Sequence, residues 1–315
     1  MRTGRASALT DTGRRRPHNE DTFVCEPPLF AVADGVGGAQ AGEIASRIAA
    51  AALEELPPDA RGAEPLAVLL LEANNRIYKQ SLDDSSLAGM GTVVTVLLFD
   101  ESTGTVSTGH VGDSRAYRMR EGALVQLTTD HSLVGELVRA GRLSTEEAES
   151  HPHRSVITRA VGTEAIVEVD TATLATEPGD LYLICSDGLT DLVRDEDIAL
   201  ILTASENDPD RAAEALVDAA NRAGGLDNIT VVLFEVLDGD PLPEPEPVPA
   251  PEPDENTAED AAVATIPADV PVAEFPAVPP VHRHGAGGGG RWLALCVILL
   301  TLAMASVIIW WSLAR

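Results

Sequence analysis

Eight short runs of β-branched and aliphatic residues recur over the first 236 positions: 29–33, 92–99 (TVVTVLLF), 104–111, 115–119, 123–127, 166–174, 181–186 (LYLICS) and 229–236 (ITVVLFEV). Runs of this length bounded by Gly, Asp, Asn and Ser predict strands. Most neighbours are separated by a few residues only, too few for a helical crossover, so the strands they join must run antiparallel. Helical spacing of apolar residues fills other gaps. Ile44, Ile48 and Ala52 recur over 42–56, and Leu66, Leu69, Leu70, Ala73 and Ile77 share a face over 64–82. Segments 195–203 and 208–223 have the same character. The pattern predicts an α+β domain, a mostly antiparallel sheet or sandwich with helices packed outside. Aromatics are only 3% of the chain, so the core must be built mainly of Ala, Val, Leu and Ile.

Composition changes near Asp238. Residues 241–280 hold twelve of the 21 prolines, in runs such as PLPEPEPVPAPEP. A segment so rich in Pro and acids and so poor in aromatics cannot bury enough surface to fold. GAGGGG (285–290) adds a flexible joint. Trp292 to Leu313 carries no charge and would span about 33 Å as a helix, enough to cross a bilayer. Trp292 lies at one end and Trp310 and Trp311 at the other, as interfacial anchors do. His282, Arg283, His284 and Arg291 precede the span and only Arg315 follows it, which places the N-terminal side in the cytoplasm. MRTGRASALT lacks the apolar stretch of a signal peptide, in agreement. The expected organisation is a domain at 1–238, an acidic Pro-rich then Gly-rich disordered linker at 239–290, and one C-terminal transmembrane helix with its flanks at 291–315.

The net charge of −28 argues against nucleic acid as a partner. The three cysteines, Cys25, Cys185 and Cys296, are far apart and odd in number, and imply neither a disulfide framework nor a zinc knuckle. Lys79 is the only lysine, and no G-x-x-x-x-G-K-[ST] exists, which excludes a P-loop nucleotidase.

The acids at the strand ends carry the chemistry. Asp34 follows 29–33, Asp187 follows 181–186 in CSDG, Asp227 precedes 229–236 in LDNIT, Asp113 follows 104–111 in HVGDSR, and Asp21 lies in HNEDTF. In antiparallel neighbours the end of one strand sits beside the start of the next, so these carboxylates can gather at one edge of a sheet. Gathered carboxylates repel unless cations bridge them. Oxygen-only ligation selects hard ions such as Mg²⁺ or Mn²⁺. Gly35 and Gly188 leave room for a backbone carbonyl to join a metal shell. Taken singly, each D-G pair is also an ordinary turn.

RRRPHNEDTF, FAVADGVGGAQAGE, GMGTVVTV, GHVGDSRAY, RSVITRAVG, CSDGLTD and LDNITVV occur in the order found in the metal-dependent protein phosphatase family, type 2C. The resemblance spans roughly Thr10 to Leu237 and is to bacterial serine/threonine phosphatases, some of which carry a C-terminal membrane anchor. It implies a four-layer α-β-β-α sandwich of two antiparallel sheets flanked by helices. It implies two or three divalent ions, Mn²⁺ or Mg²⁺. Asp34 would touch both principal metals, Gly35 would offer its carbonyl to one, and Asp187 and Asp227 would complete the other. Glu20 and Asp21 would reach the metals mainly through water, and Asp113 would help hold a third ion. Arg16 would bind the substrate phosphate; Arg14 and Arg15 adjoin it and alternatively form a solvated basic turn.

The resemblance further implies direct attack on phosphorus by a hydroxide shared between the metals, releasing serine or threonine from phosphoproteins and reversing a cognate serine/threonine kinase. The C-terminal helix would place the enzyme at the cell membrane, with its catalytic domain in the cytoplasm and the lipid bilayer as a partner. One departure stands out. The family places a histidine after D-G or after D-G-x-G-G, where this chain has Val36 and Ala39. His131 in TTDHS is a candidate substitute as general acid, or a polar loop residue. The segment from His131 to Pro152 corresponds to a variable flap. Two other readings remain open at this stage. A membrane-tethered, non-catalytic phosphoprotein-binding module of the same fold would keep the acids without the chemistry. A cysteine phosphatase is disfavoured, because Arg194 is too far from Cys185 for a C-x-x-x-x-x-R loop.

Overall fold

The computed structural model describes residues 1–37, 41–149 and 151–239. The spacer from 240, the expected span at 291–315 and Ala39 lie outside the described residues. Among the described residues no helix is long and apolar enough to cross a membrane.

Among the described residues ten strands form two five-stranded sheets, antiparallel throughout. They are β1 (Arg2–Asp11), β2 (Thr22–Glu26), β3 (Leu29–Val36), β4 (Gly91–Asp100), β5 (Thr105–Val111), β6 (Arg115–Arg120), β7 (Ala123–Gln126), β8 (Asp170–Ala175), β9 (Leu181–Cys185) and β10 (Ile229–Leu237). One sheet has the order β1-β10-β9-β6-β7 and the other β2-β3-β4-β5-β8. Helices α1 (Ala41–Leu53) and α2 (Glu64–Asp83) cover the second sheet. Helices α6 (Asp195–Ala204) and α7 (Pro209–Arg222) cover the first. Short helices α3 (Leu133–Arg139), α4 (Thr145–Glu149) and α5 (Asp187–Thr190) occupy connections. The α-β-β-α layering expected from the sequence is present.

The two-residue period of the strands assigns each side chain to a layer. In β3, Leu29, Ala31 and Ala33 face the helices, while Phe30 and Val32 face the opposite sheet. Phe30 stacks on Phe234 with centroids 4.0 Å apart, and Tyr182 stacks on Phe234 at 5.0 Å. These few aromatics fill the middle of the sandwich, with Val, Leu and Ile around them. Continuing the period from Phe30 and Val32 puts Asp34 on the inter-sheet side. Ile184 then Ser186, and Val232 then Thr230, give the same result for β9 and β10.

Three expectations need correction. The strand ending at Asp34 continues to Val36, because Gly35 and Val36 still pair with Thr92 and Gly91 of β4. The strand expected over 166–174 is confined to 170–175, on the edge of its sheet. The acids do not gather at one edge of one sheet. Asp34 comes from one sheet and Asp187 and Asp227 flank strands of the other, so the cluster bridges the two layers at one end of the sandwich.

Candidate metal centre

Asp21 draws the two sheets together. Its Oδ2 accepts from Ser186 Oγ at 2.9 Å and from Thr230 Oγ1 at 2.6 Å. Asp21 directly precedes β2, and the two hydroxyls stand after β9 and at the second residue of β10. Asp187 opens α5 immediately after Ser186. Asp227 sits two residues before β10, and its Oδ1 accepts from the Asn228 N–H at 2.8 Å. Close backbone approach is required around them. A Cβ on Gly188 would lie 1.9 Å from the Asn228 carbonyl oxygen, and one on Gly35 would lie 2.3 Å from that of Gly42.

The electrostatics are those of acids facing acids. Burial first, then the charges of Asp21, Asp187, Asp113 and Asp227, push the Asp34 carboxyl well above its ordinary range. Burial, followed by Asp113, Asp191, Asp227 and Asp21, does the same to Asp187. Burial is also the leading cause for Asp21, raised to about 6, and for Asp113, raised to about 7. Glu20 is raised by burial, against the opposing pull of Arg16. Asp21 Oδ1, Asp113 Oδ1 and Asp187 Oδ1 are buried with no hydrogen-bond partner. Three orphaned carboxylate oxygens in one region are costly unless a cation satisfies them.

Oxygen donors, orphaned oxygens and a tight glycine backbone suit hard divalent cations. No group of three His, Cys, Asp or Glu side chains among the described residues is already arranged around a single point. The partners explain why: hydroxyls hold Asp21 Oδ2, and Arg16 Nη2 donates to Asp227 Oδ2 at 2.6 Å. Arg16 is about half exposed, on a loop whose Pro17 and His18 line a cavity with Glu20. Arg16 thus meets the cluster at its rim, through Asp227.

Asp113 lies in the turn between β5 and β6. Gly112 before it has φ +117°, and a Cβ there would lie 2.1 Å from that of Val93. His131 clamps this turn. Its backbone N–H donates to the Gly112 carbonyl at 2.7 Å, and its Nδ1 accepts from the Gly112 N–H at 3.0 Å. The ring proton therefore sits on Nε2, which faces Asp170 Oδ2 at 3.2 Å. Burial lowers the ring's pKa, and the ring is only 4% exposed. Both nitrogens are engaged away from Asp34, Asp187 and Asp227. His131 thus holds the Asp113 turn through both its backbone and its ring.

Several contributors were missed in the sequence. Asp191 caps α5 one helical turn after Asp187, and its carboxyl is raised by burial, with Arg154 opposing. CSDGLTD already held it, at the i, i+4 spacing of a helix face. Ser186, Thr230 and Asn228 were also passed over, because hydroxyls and amides beside strand ends carry no signal of their own.

The family model for protein phosphatase 2C matches residues 18–219. A serine/threonine protein phosphatase, PstP, of Mycobacterium tuberculosis is 42% identical over 239 residues, 75% of this chain and 46% of the relative's own length. The chain thus spans about half the length of that relative. A serine/threonine phosphatase of Listeria monocytogenes is 39% identical over 242 residues, covering 73% of this chain and 95% of the relative. The crystal structure of the M. tuberculosis PstP matches with a TM-score of 0.70 at 40% identity, over 74% of this chain and 99% of that one. A structure of a PstP catalytic domain in complex with two manganese ions matches with a TM-score of 0.68 at 39% identity, over 74% and 98%.

Proposed function

The chain belongs to the protein phosphatase 2C family, and from that membership we propose that it is a metal-dependent serine/threonine protein phosphatase. The observation that carries the reading is the set of orphaned carboxylate oxygens on Asp21, Asp113 and Asp187, at the end of the sandwich where Asp34 and Asp227 also lie. Asp34, Asp187, Asp227 and the Gly35 carbonyl would hold Mn²⁺ or Mg²⁺, with Glu20, Asp21 and Asp113 around them. When bound, such ions supply an activated water and neutralise charge on the phosphoryl oxygens.

The chain's own residues do the rest. Arg16 exchanges Asp227 for two phosphoryl oxygens, a planar fork meeting a planar pair of acceptors. Thr92 Oγ1 donates to the Asp34 carbonyl oxygen at 2.7 Å, which fixes the backbone beside that acid. Engaged by Gly112 and Asp170, His131 is not free to protonate the leaving alkoxide. That proton comes from solvent.

Two measurements test this. The purified chain is expected to hydrolyse an aryl phosphate and a phosphoserine peptide with Mn²⁺ and to lose both activities in EDTA; activity retained in EDTA would refute it. His131→Ala is expected to lower turnover of both substrates by the same factor, because it loosens the Asp113 turn. Selective loss on the phosphopeptide, of the 10²–10⁴-fold size typical of a general acid, would return the acid role to His131.

We also propose that Trp292–Leu313 anchors the enzyme in the cell membrane, with its catalytic domain in the cytoplasm opposing a serine/threonine kinase. An uncharged stretch of this length with terminal tryptophans supports the reading. A flexible spacer of about fifty residues would give a mean reach of roughly 40 Å, enough to sample phosphoproteins near the bilayer. Full-length protein is expected to stay in the membrane fraction after a high-salt wash, while a chain ending at Asp238 stays soluble. Release by salt alone would exclude the span.

A further inference from the structure

We propose that Asn228 is the positioning residue that locks the Arg16 loop onto the acid cluster; the inference rests on the phosphatase reading for its kinetic consequence, not for its geometry. Asn228 is 4% exposed, and its amide oxygen and both amide N–H groups are engaged within the protein. Its Oδ1 accepts from the Glu20 N–H at 2.8 Å. Its Nδ2 donates to the Thr12 carbonyl at 3.0 Å and to the His18 carbonyl at 2.9 Å. Its own backbone N–H donates to Asp227 Oδ1 at 2.8 Å.

The two carbonyls bracket the loop that carries Arg14, Arg15 and Arg16, so one amide group closes both ends of it. Further contacts stiffen the near end. The Gly13 N–H donates to Asp11 Oδ1 at 2.8 Å, and the Arg14 N–H donates to the Gly225 carbonyl at 2.7 Å. A Cβ on Gly13, whose φ is +77°, would lie 2.1 Å from the Asp227 carbonyl oxygen. Arg16 at the far side has a single carboxylate partner, Asp227. The acid that Arg16 touches is the acid that Asn228 fixes.

The chemistry specifies asparagine. The position needs one acceptor and two donors in a plane on a two-carbon side chain. Aspartate offers no donor, serine only one, and glutamine is a methylene too long. A loop held this way presents Arg16 to a phosphate without first losing conformational freedom, which favours binding more than the chemical step.

The test uses the full chain and the variants Asn228→Ala, Asn228→Asp, Arg16→Ala and the double variant Asn228→Ala/Arg16→Ala. Asn228→Asp keeps the volume and the acceptor for Glu20, loses the two donations and adds a negative charge beside Asp227, and it serves as the second variant if the alanine variant fails to fold. The first readout needs no activity: tryptic cleavage after Arg14 and Arg15, followed by mass spectrometry. Releasing the loop is expected to speed this cleavage about tenfold, as local opening becomes easier. The second is aryl phosphate kinetics at saturating Mn²⁺. KM is expected to rise about tenfold, as in Arg16→Ala, with kcat reduced less, and the double variant should match Arg16→Ala in KM. Unchanged proteolysis would overturn the proposal, as would a fall in kcat at constant KM that adds fully to Arg16→Ala. If the wild type itself hydrolyses nothing, the phosphatase reading fails, while the cleavage rates still decide the role of Asn228.

Discussion

Asp187→Asn is expected to abolish turnover and, in the metal-free protein, to raise the melting temperature. Asp187 Oδ1 is buried without a partner, and burial and four neighbouring acids hold its carboxyl well above the ordinary range. At neutral pH this group costs the folded state free energy, whether as a buried charge or as a retained proton. Asparagine keeps the shape and removes the charge. Relief of about 1–2 kcal/mol is expected, which for a domain of this size is a rise of about 3–6 °C. The same change takes away a cation ligand, and turnover is expected to fall by about 10³-fold or more. A site optimised for function at the expense of stability gives this pairing of opposite effects. Melting curves in EDTA and initial rates in Mn²⁺ on one preparation read both. Full activity would remove Asp187 from the site, and a lowered melting temperature would mean that the protein itself satisfies the carboxylate.

The strands that carry the core were legible because their alternation is strong. Phe30 and Val32, Tyr182 and Ile184, Val232 and Phe234 sit in runs with almost no polar interruption. β1 was not legible. RTGRASALTD lies on the edge of its sheet, lines the sandwich only with Ala6 and Ala8, and is interrupted by a bulge between Thr3 and Ala6. Such a strand exists because β10 offers it a partner, and no local pattern announces that. β2 is similar: Phe23, its largest residue, is 37% exposed. The acids were legible as types but not as a place. Each D-G could have been a turn, and only the pairing order of two sheets brings Asp34 opposite Asp187 and Asp227. What His131 does was not legible, because it depends on a contact with Gly112, nineteen residues away. Asn228 was quoted within LDNITVV, but its role rests on carbonyls more than 200 residues away.

In the metal-free protein, melting temperature is expected to fall as pH rises from about 6.5 to 8, and Mn²⁺ is expected to reverse the slope. The direction follows from linkage. A carboxyl whose folded pKa lies above its unfolded value binds its proton more tightly when folded. It stabilises the fold below the ordinary range near pH 4, and that stability is lost as pH rises through the folded value. Asp21 is raised to about 6 and Asp113 to about 7, while Asp34 and Asp187 are pushed well up. Histidine works the other way at lower pH. Buried His110, lowered to about 4, and His131, lowered by burial, remove stability as pH falls below about 6.5, where the unfolded chain takes up their protons. The two families of groups oppose each other from pH 4 to 6.5, and above that only the acids still change. Each unit of pH costs about 1.4 kcal/mol per titrating group, so a loss of about 1 kcal/mol, or about 2–4 °C, is expected across the upper window as Asp113 titrates. Cations compete with protons for the same oxygens, so their affinity grows over that window. At a hundred times its dissociation constant, Mn²⁺ would add about 2.7 kcal/mol to the folded state. The curves with and without metal should therefore diverge from pH 6.5 upward. A flat metal-free curve would mean that the acids are compensated within the protein. Parallel curves would mean that the ion binds somewhere other than on Asp34, Asp113 and Asp187.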